Sequence, residues 1–559
     1  MIEPDRAARL PRPSPAARPG PLDDRFYDLA EANFERRIRR DPVLATSLGL
    51  HQDDDLFGDG GRDAVLGDLE AAQVHLADVE ALDPTGLSAE ARFERDLEVH
   101  NVRREIFDAD GLRLWERRSF ALETVGDGLF LLFVRDHAQL AERLDAISGR
   151  LEAVATFLEE AKTRATGPQV RLWQGLEIET AGELPAFFDE IVAAGATVLA
   201  APEQRRLERA SESAKVAVEL YGEWLESTMA GGTDDWAIGR ERHDELVALR
   251  AFDGLDADAI LELGWQRLAE ERAARTAAAR EIDPDADEAA VVDRVKSDGP
   301  ATFDEALAAY RTATQRARAY LIEYDLVTVP DDERIEIIAT PAYLANVVPF
   351  AAYFEPSAFD AKPEGIYIVT RSVGGNPDAM REHSYASISN TSIHEAYPGH
   401  HLQLDVARRN PSLTRLLSDA PEFVEGWGMY TELMMREQGF DAGPAFRVAL
   451  HTDAIWRACR MILDVRLHRG ELTVEEATDF LVAQTSFERP NAQAEVQWYT
   501  YRPTYPLSYL LGRTLLLNLR ADEQRRLGER FSLKSFHDTL LRNGSIPISF
   551  HRRLLAAGA

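Results

Sequence analysis

Apolar positions along this chain recur mostly at helical spacing. Leu140, Leu144, Ile147, Leu151, Val154, Leu158 and Ala161 alternate at four and three residues, and Leu207, Ala210, Ala214, Ala217, Tyr221 and Trp224 follow the same rhythm. Each stripe predicts an amphipathic helix burying one face against its neighbours. The pattern also predicts helices near 24–39, 88–106, 256–281, 303–322, 442–468 and 473–483, punctuated by Pro and Gly and without a tandem repeat. Two runs, Arg334 to Ala339 and Gly365 to Thr370, carry the Ile and Val content of strands. They predict a small sheet, either a structural hairpin or an edge that an extended peptide could join. The expected fold class is mainly α with one small β patch.

The pattern breaks only at the start. Residues 1–22 are rich in Pro and Arg and lack a continuous apolar stretch, so a disordered tail is expected there, with a single helical domain over 23–559. The 63 Lys and Arg against 96 Asp and Glu give a net charge of −33. Such a field disfavours nucleic acid and anionic membrane surfaces. The single cysteine, Cys459, excludes an internal disulfide and suits a reducing interior, and no apolar run is long enough for a membrane span. A cytoplasmic location is expected. The triplet Asp53-Asp54-Asp55 reads as a solvated loop, without the spacing of an EF-hand.

Candidate chemistry is concentrated in His394-Glu395-Ala396-Tyr397-Pro398-Gly399-His400-His401-Leu402-Gln403. Neutral imidazole is the commonest zinc ligand, and a Glu beside the first His is placed to take a proton from a water that a metal activates. The spacing is not H-E-x-x-H, because Pro398 stands four residues after His394. On an unbroken helix a residue seven positions on lies roughly 10.5 Å further along the axis, too far to share one zinc. Pro398 disfavours helix and Gly399 tolerates unusual dihedrals, which predicts a two-residue insertion that loops out and restores ligand geometry. Downstream, Glu422-Phe423-Val424-Glu425-Gly426-Trp427-Gly428-Met429-Tyr430-Thr431-Glu432 offers two carboxylates seven apart on one helical face. One of Glu425 and Glu432 could bind the metal while the other orients an imidazole N–H.

These stretches, with Ile338 to Pro341, Trp456 to His468 and Glu495 to Gly512, closely resemble the bacterial family called domain of unknown function 885. That family is distantly similar to helical gluzincin zinc peptidases of the thimet oligopeptidase and angiotensin-converting-enzyme type. The resemblance implies a multi-helix ellipsoid with a deep cleft, the sheet beside the zinc helix, and a catalytic part mainly within 330–520. It implies one Zn2+ per chain held by His394, His400 and Glu425, Glu395 as general base, and Glu432 behind the ligands. His401 competes as a ligand.

Amide hydrolysis needs a donor for its oxyanion, and tyrosine hydroxyls serve in the gluzincins. Tyr499, Tyr501, Tyr505 and Tyr509 crowd one segment, of which Tyr499 and Tyr509 are the better candidates; Trp498, Thr504, Tyr505 and Pro506 depart from the family pattern. Arg457, Arg460, Asp464 and His468 predict a buried polar seam with an Arg460–Asp464 pair. Arg502 and Arg513 are candidate clamps for a terminal carboxylate. The expected activity is zinc-dependent hydrolysis of peptide bonds in small peptides. A zinc hydrolase of a specialised amide, ester or lactam is the first alternative. A non-catalytic helical protein with a structural metal, its four ligands completed by His401, is the second.

Overall fold

In the computed structural model, the described residues are 10, 12–16, 18–340, 351–371, 377–485 and 487–558. The architecture is mainly α. The predicted helices appear as Asp23–Arg40, Ala89–Ile106, Ala257–Ile282, Phe303–Glu323, Pro444–His468 and Val474–Gln484. Sequence signals explain several starts. Thr302 and Thr473 each accept from the backbone three residues on, while Glu305 and Glu476 reach back to the cap. No described helix is long and apolar enough to cross a membrane.

Leu144, Ile147, Leu151, Val154, Leu158 and Ala161 are all buried on the helix Leu140–Lys162. On Ala201–Met229 the stripe shifts. Leu207, Ala210, Ala214 and Tyr221 are buried as expected, but Val218 and Leu225 replace Ala217 and Trp224 in the core. A helix with 3.6 residues per turn drifts against a 3.5-residue repeat, so the inward position moves one residue along.

Parts of the expected tail are docked. Arg12 pairs with Asp28 and Glu31, and Asp23 receives the backbone N–H groups of Gly20 and Ser88. Residues 1–9, 11 and 17 of that tail, and Pro341 of the family-like stretch, lie outside the described residues.

The sheet has three strands, β1 (Ile335–Ala339), β2 (Ala351–Phe354) and β3 (Gly365–Val369), in the order β1-β3-β2. β1 runs parallel to β3 and β2 antiparallel to it, so the two predicted strands do not form a hairpin. β3 is buried throughout. Its alternating faces join two cores. Tyr367 and Val369 enter the cluster built by residues 247–555, whereas Ile366 and Ile368 enter the cluster of the helices between Ala121 and Met229. The sheet thus fastens the N-terminal helices to the half that carries the histidine motif.

Candidate metal centre

The motif helix Tyr385–Glu395 starts on Ser384, whose hydroxyl accepts from Ser387 N–H. It ends where Ala396 leaves helical geometry, and a second helix, His400–Ala407, begins after a cis Tyr397–Pro398 bond. The ladder does not stop but skips. Gly399 N–H donates to Ile393 at 3.0 Å and Leu402 N–H to Ala396 at 3.3 Å, each spanning six residues instead of four. Two residues are extruded, which brings His400 round beside His394. Gly399 is required by crowding, since a Cβ there would fall 1.8 Å from the His394 carbonyl oxygen. Trp427 Nε1–H holds the extruded loop by donating to Pro398 at 2.7 Å.

The helix Pro421–Glu437 supplies the carboxylates. Glu425 Oε2 lies 3.5 Å from His394 Nε2 and 3.3 Å from His400 Nε2, and the two imidazoles stand nearly perpendicular with centroids 4.7 Å apart. One ligand atom from each of the three residues falls within 4.8 Å of the others. Zinc bonds of about 2.0–2.1 Å at tetrahedral angles separate ligand atoms by roughly 3.4 Å, so the donor set fits a zinc-sized ion. Seven residues on, Glu432 accepts from His394 Nδ1 at 2.7 Å, which leaves Nε2 as the ligand nitrogen. Asn390 donates to Glu432 at 2.9 Å and to Asp453 at 2.7 Å, fixing that carboxylate in turn. Gly428 lies under the His394 ring, where a Cβ would sit 2.6 Å from Cε1.

Electrostatics agree with an ion-binding trio. Burial alone would lower the His394 pKa, but the hydrogen bonds to Glu425 and Glu432 outweigh it and push it up to about 10. Glu425 is held well below the carboxylate range, because His400 and His394 overcome its desolvation. A bound cation would take the place of the proton these groups share. Glu395 differs. Its pKa is raised, first by burial and further by Glu425, against the pull of His400 and His394. It is partly exposed and makes no hydrogen bond to a described residue.

Other expected site residues are distributed unevenly. His401 is turned away from the trio: Nδ1 accepts from Tyr353 on β2 at 2.8 Å and Nε2 donates to Glu333 at 2.8 Å. Adjacent positions on a helix point about 100° apart, so His400 and His401 cannot face one ion. Tyr509 lies with its ring near parallel to His394, centroids 6.5 Å apart. Tyr499 is not brought to the trio. Its hydroxyl donates to Glu495 at 2.7 Å and receives Arg460 and Trp456, and its ring is fully buried.

Tyr505 reaches the site instead, donating to Glu425 Oε1 at 2.8 Å. In sequence Tyr505 is a departure from the family pattern, and nothing in its spacing separates it from Tyr499. The polar seam exists, but Arg460 pairs with Glu495, while Asp464 meets His243 and Thr504 N–H, so the Arg460–Asp464 pair does not form. Arg502 is paired with Glu123 at the surface, and Arg513 is buried against Glu271, so both are engaged away from the trio. Arg457 has unused capacity near the trio, with Nη1 3.6 Å from Asp453 as its ion-pair contact. Its Nε and Nη1 are buried without a hydrogen bond, and its charge acts on both Glu395 and Tyr509.

A family model described as "Bacterial protein of unknown function (DUF885)" matches residues 42–555. Among solved structures, one described as a "putative lipoprotein of unknown function" from Shewanella oneidensis aligns with a TM-score of 0.76 at 20% identity, covering 95% of this chain and 99% of its own. Another, a "putative lipoprotein" from Colwellia psychrerythraea, aligns with a TM-score of 0.83 at 17% identity, covering 96% and 99%. At these identities the likeness is one of fold. No curated protein matched the chain.

Proposed function

The chain belongs to that DUF885 family, and from its own residues we propose that it is a zinc-dependent hydrolase of amide bonds in small peptides. The observation that carries the reading is the combination of His394, His400 and Glu425 within ligand distance of one another and a neighbouring Glu395 without a described partner. When bound there, a zinc ion would supply Lewis acidity to water and to a carbonyl group.

The residues divide the remaining work. Glu432 keeps His394 in the tautomer that offers Nε2. Glu395 takes the proton of a water as its oxygen attacks the carbonyl carbon, and its raised pKa suits that task. The C–N bond then breaks, and Glu395 delivers the proton to the leaving nitrogen. Tyr509 is the donor for the carbonyl oxygen as it gains charge, while Tyr505 holds the Glu425 ligand through Oε1. Tyr499 drops out of that role, since its hydroxyl is committed to Glu495. Arg457 is available for an anionic part of the substrate. A deep cleft and a distant kinship with gluzincin peptidases belong to this proposal.

The closed structural site loses support, because His401, its fourth ligand, is engaged by Tyr353 and Glu333. We keep the cytoplasm as the proposed location, on the lone buried Cys459. As both solved neighbours are described as lipoproteins, recovery of the native protein with the cell envelope would overturn that location.

The test compares wild type with Glu395→Gln for zinc content and for cleavage of a mixed peptide library by mass spectrometry. One catalytic zinc in both proteins, with cleavage by wild type alone, is expected. Zinc without cleavage by wild type moves the substrate to a specialised amide, ester or lactam, and equal cleavage by both removes the mechanism.

A further inference from the structure

We infer that His51, Asp54 and His137 form a second divalent-cation site, suited to zinc, with Asp360 as the carboxylate that orients His51. The four residues come from three segments: the loop after the helix Pro42–Leu48 (His51 and Asp54), the connection between the helices Ala121–Val134 and Leu140–Lys162, and the stretch between β2 and β3. His51 Nδ1 is 2.8 Å from Asp54 Oδ2, and His51 Nε2 is 2.8 Å from Asp360 Oδ1. His137 stacks on His51, centroids 3.9 Å apart and planes within 5°, with Nε2 3.8 Å from the same Asp54 oxygen. Donor atoms of His51, Asp54 and His137 all lie within 4.8 Å of one another.

His137 is the telling member. Its side chain is only 8% exposed, its Nδ1 is buried without a partner, and it makes no hydrogen bond to a described residue. A separation of 3.8 Å is too long for a hydrogen bond, yet it is close to the span of two ligands across one ion. Burying Nδ1 of an imidazole unused costs stability unless something else engages the ring. The arrangement also repeats the logic of the His394 centre: two imidazoles, one shared carboxylate, and a second carboxylate on the far nitrogen of one ring. With neutral imidazoles, one divalent cation would sit between Asp54 and Asp360, whose charges Arg150 and Arg135 offset in part. Binding requires His51 to release the proton it holds between the two carboxylates, and the parallel rings to open towards Asp54.

The surroundings are built to hold the ligands still. Thr46 donates to Asp54 at 2.6 Å, Ser357 donates to Asp360, and Arg150 donates to Thr46 at 3.0 Å. Backbone bonds lace the same segments: Phe359 N–H donates to Leu48, and Arg135 reaches the carbonyls of Ser47 and Glu355. An ion here would staple the N-terminal helices to the segment leading into β3. The competing state is an ion-free staple, in which protonated His51 alone bridges the two aspartates and His137 is only a stacking partner.

The experiment measures zinc per chain after chelation, reloading with Zn2+ and dialysis, together with the melting temperature with and without Zn2+. It uses the full chain carrying His394→Ala and His400→Ala, so that the first centre is silent. One zinc per chain and a melting temperature raised by Zn2+ are expected, both abolished by adding His137→Asn. Adding Asp360→Asn should instead weaken zinc binding about 10–100-fold. His137→Asn removes no hydrogen bond, so circular dichroism should match that of its parent, and Asp360→Asn gives an independent reading if it does not. No zinc in the parent, or a zinc that survives both changes, overturns the second site. Either result leaves the reading of the His394 centre untouched.

Discussion

The two histidine–carboxylate clusters differ less in their ligands than in what stands beside them. At the first, Glu425 is shared by His394 and His400, and Glu432 backs His394 Nδ1. At the second, Asp54 lies between His51 and His137, and Asp360 backs His51 Nε2. Beyond this the likeness ends. The first cluster has a carboxyl group without a described partner in Glu395, a tyrosine hydroxyl on Glu425, and the parallel ring of Tyr509. Around the second, the named carboxylates are committed to histidine, Ser357 and Thr46, and the neighbouring groups tie chain segments together. A ligand set alone does not make a catalytic centre, and the proposed function rests on the proton acceptor and hydroxyl donor that stand beside the first cluster.

The strongest way to break this contrast is Glu395→Gln. Loss of a general base costs about 10²–10⁴ in rate, so turnover should fall at least about a hundredfold while zinc binding at the first centre persists. Assays of kcat beside metal content decide it. Activity within tenfold of wild type would mean that the Glu395 carboxyl group is not what separates the two clusters.

The next largest effect sharpens the role of the tyrosines. Tyr509→Phe should cost about 10²–10³ in kcat, as the loss of one oxyanion donor does, with Tyr505→Phe costing less, through the Glu425 ligand that its hydroxyl holds. Tyr499→Phe should cost under about tenfold, because its hydroxyl serves Glu495, Arg460 and Trp456 rather than the trio. Steady-state kinetics on one peptide rank the three, and a larger loss at Tyr499 would reverse the assignment.

The same contrast explains what the sequence disclosed. The first cluster was legible because its parts are close in sequence. His394, Glu395 and His400 share one motif, and Glu425 and Glu432 share one helical face seven residues apart. The Pro398-Gly399 pair even signalled the extrusion that the Gly399–Ile393 hydrogen bond displays. The second cluster was hidden, since its members are separated by up to about three hundred residues and only folding unites them. Asp54 stands in a run that reads as a solvated loop, yet it is buried and bonded to His51 and Thr46, while Asp53 and Asp55 carry no such bond. Local charge density says nothing about which carboxylate a distant imidazole will claim. The fold shows the same divide. Helical periodicity found the long helices, but the short, partly buried β2 had no pattern to announce it, and the parallel pairing of β1 with β3 is a tertiary choice.

A smaller effect tests whether the two clusters share a design for positioning histidine. Glu432→Gln should lower zinc affinity at the first centre about 10–100-fold, and Asp360→Asn should do the same at the second. Competition against a chelator of known affinity reads both. Parallel losses would support one design, whereas a loss confined to Glu432 would leave Asp360 as the partner of a protonated His51.

The smallest effect concerns the loop that only the first cluster possesses. Trp427 is fully buried, and its indole N–H is the side-chain donor that meets Pro398 in the extruded turn. Trp427→Phe keeps much of the aromatic bulk and deletes that donor, leaving the Pro398 carbonyl without it. The loss of one such hydrogen bond costs about 1 kcal/mol, roughly a fivefold change in the folding equilibrium. Some cost should also reach zinc affinity, since the turn sets how His400 meets His394. Chemical denaturation of the ion-free protein measures the first quantity, and chelator competition measures the second. If neither moves, the turn is held by its own backbone bonds, Gly399 to Ile393 and Leu402 to Ala396, and the tryptophan only fills space. If stability falls but affinity does not, the extrusion supports the fold rather than the ligands. A fall in both would show that the Trp427 helix, which already contributes Glu425 and Glu432, also governs the spacing of the two histidines.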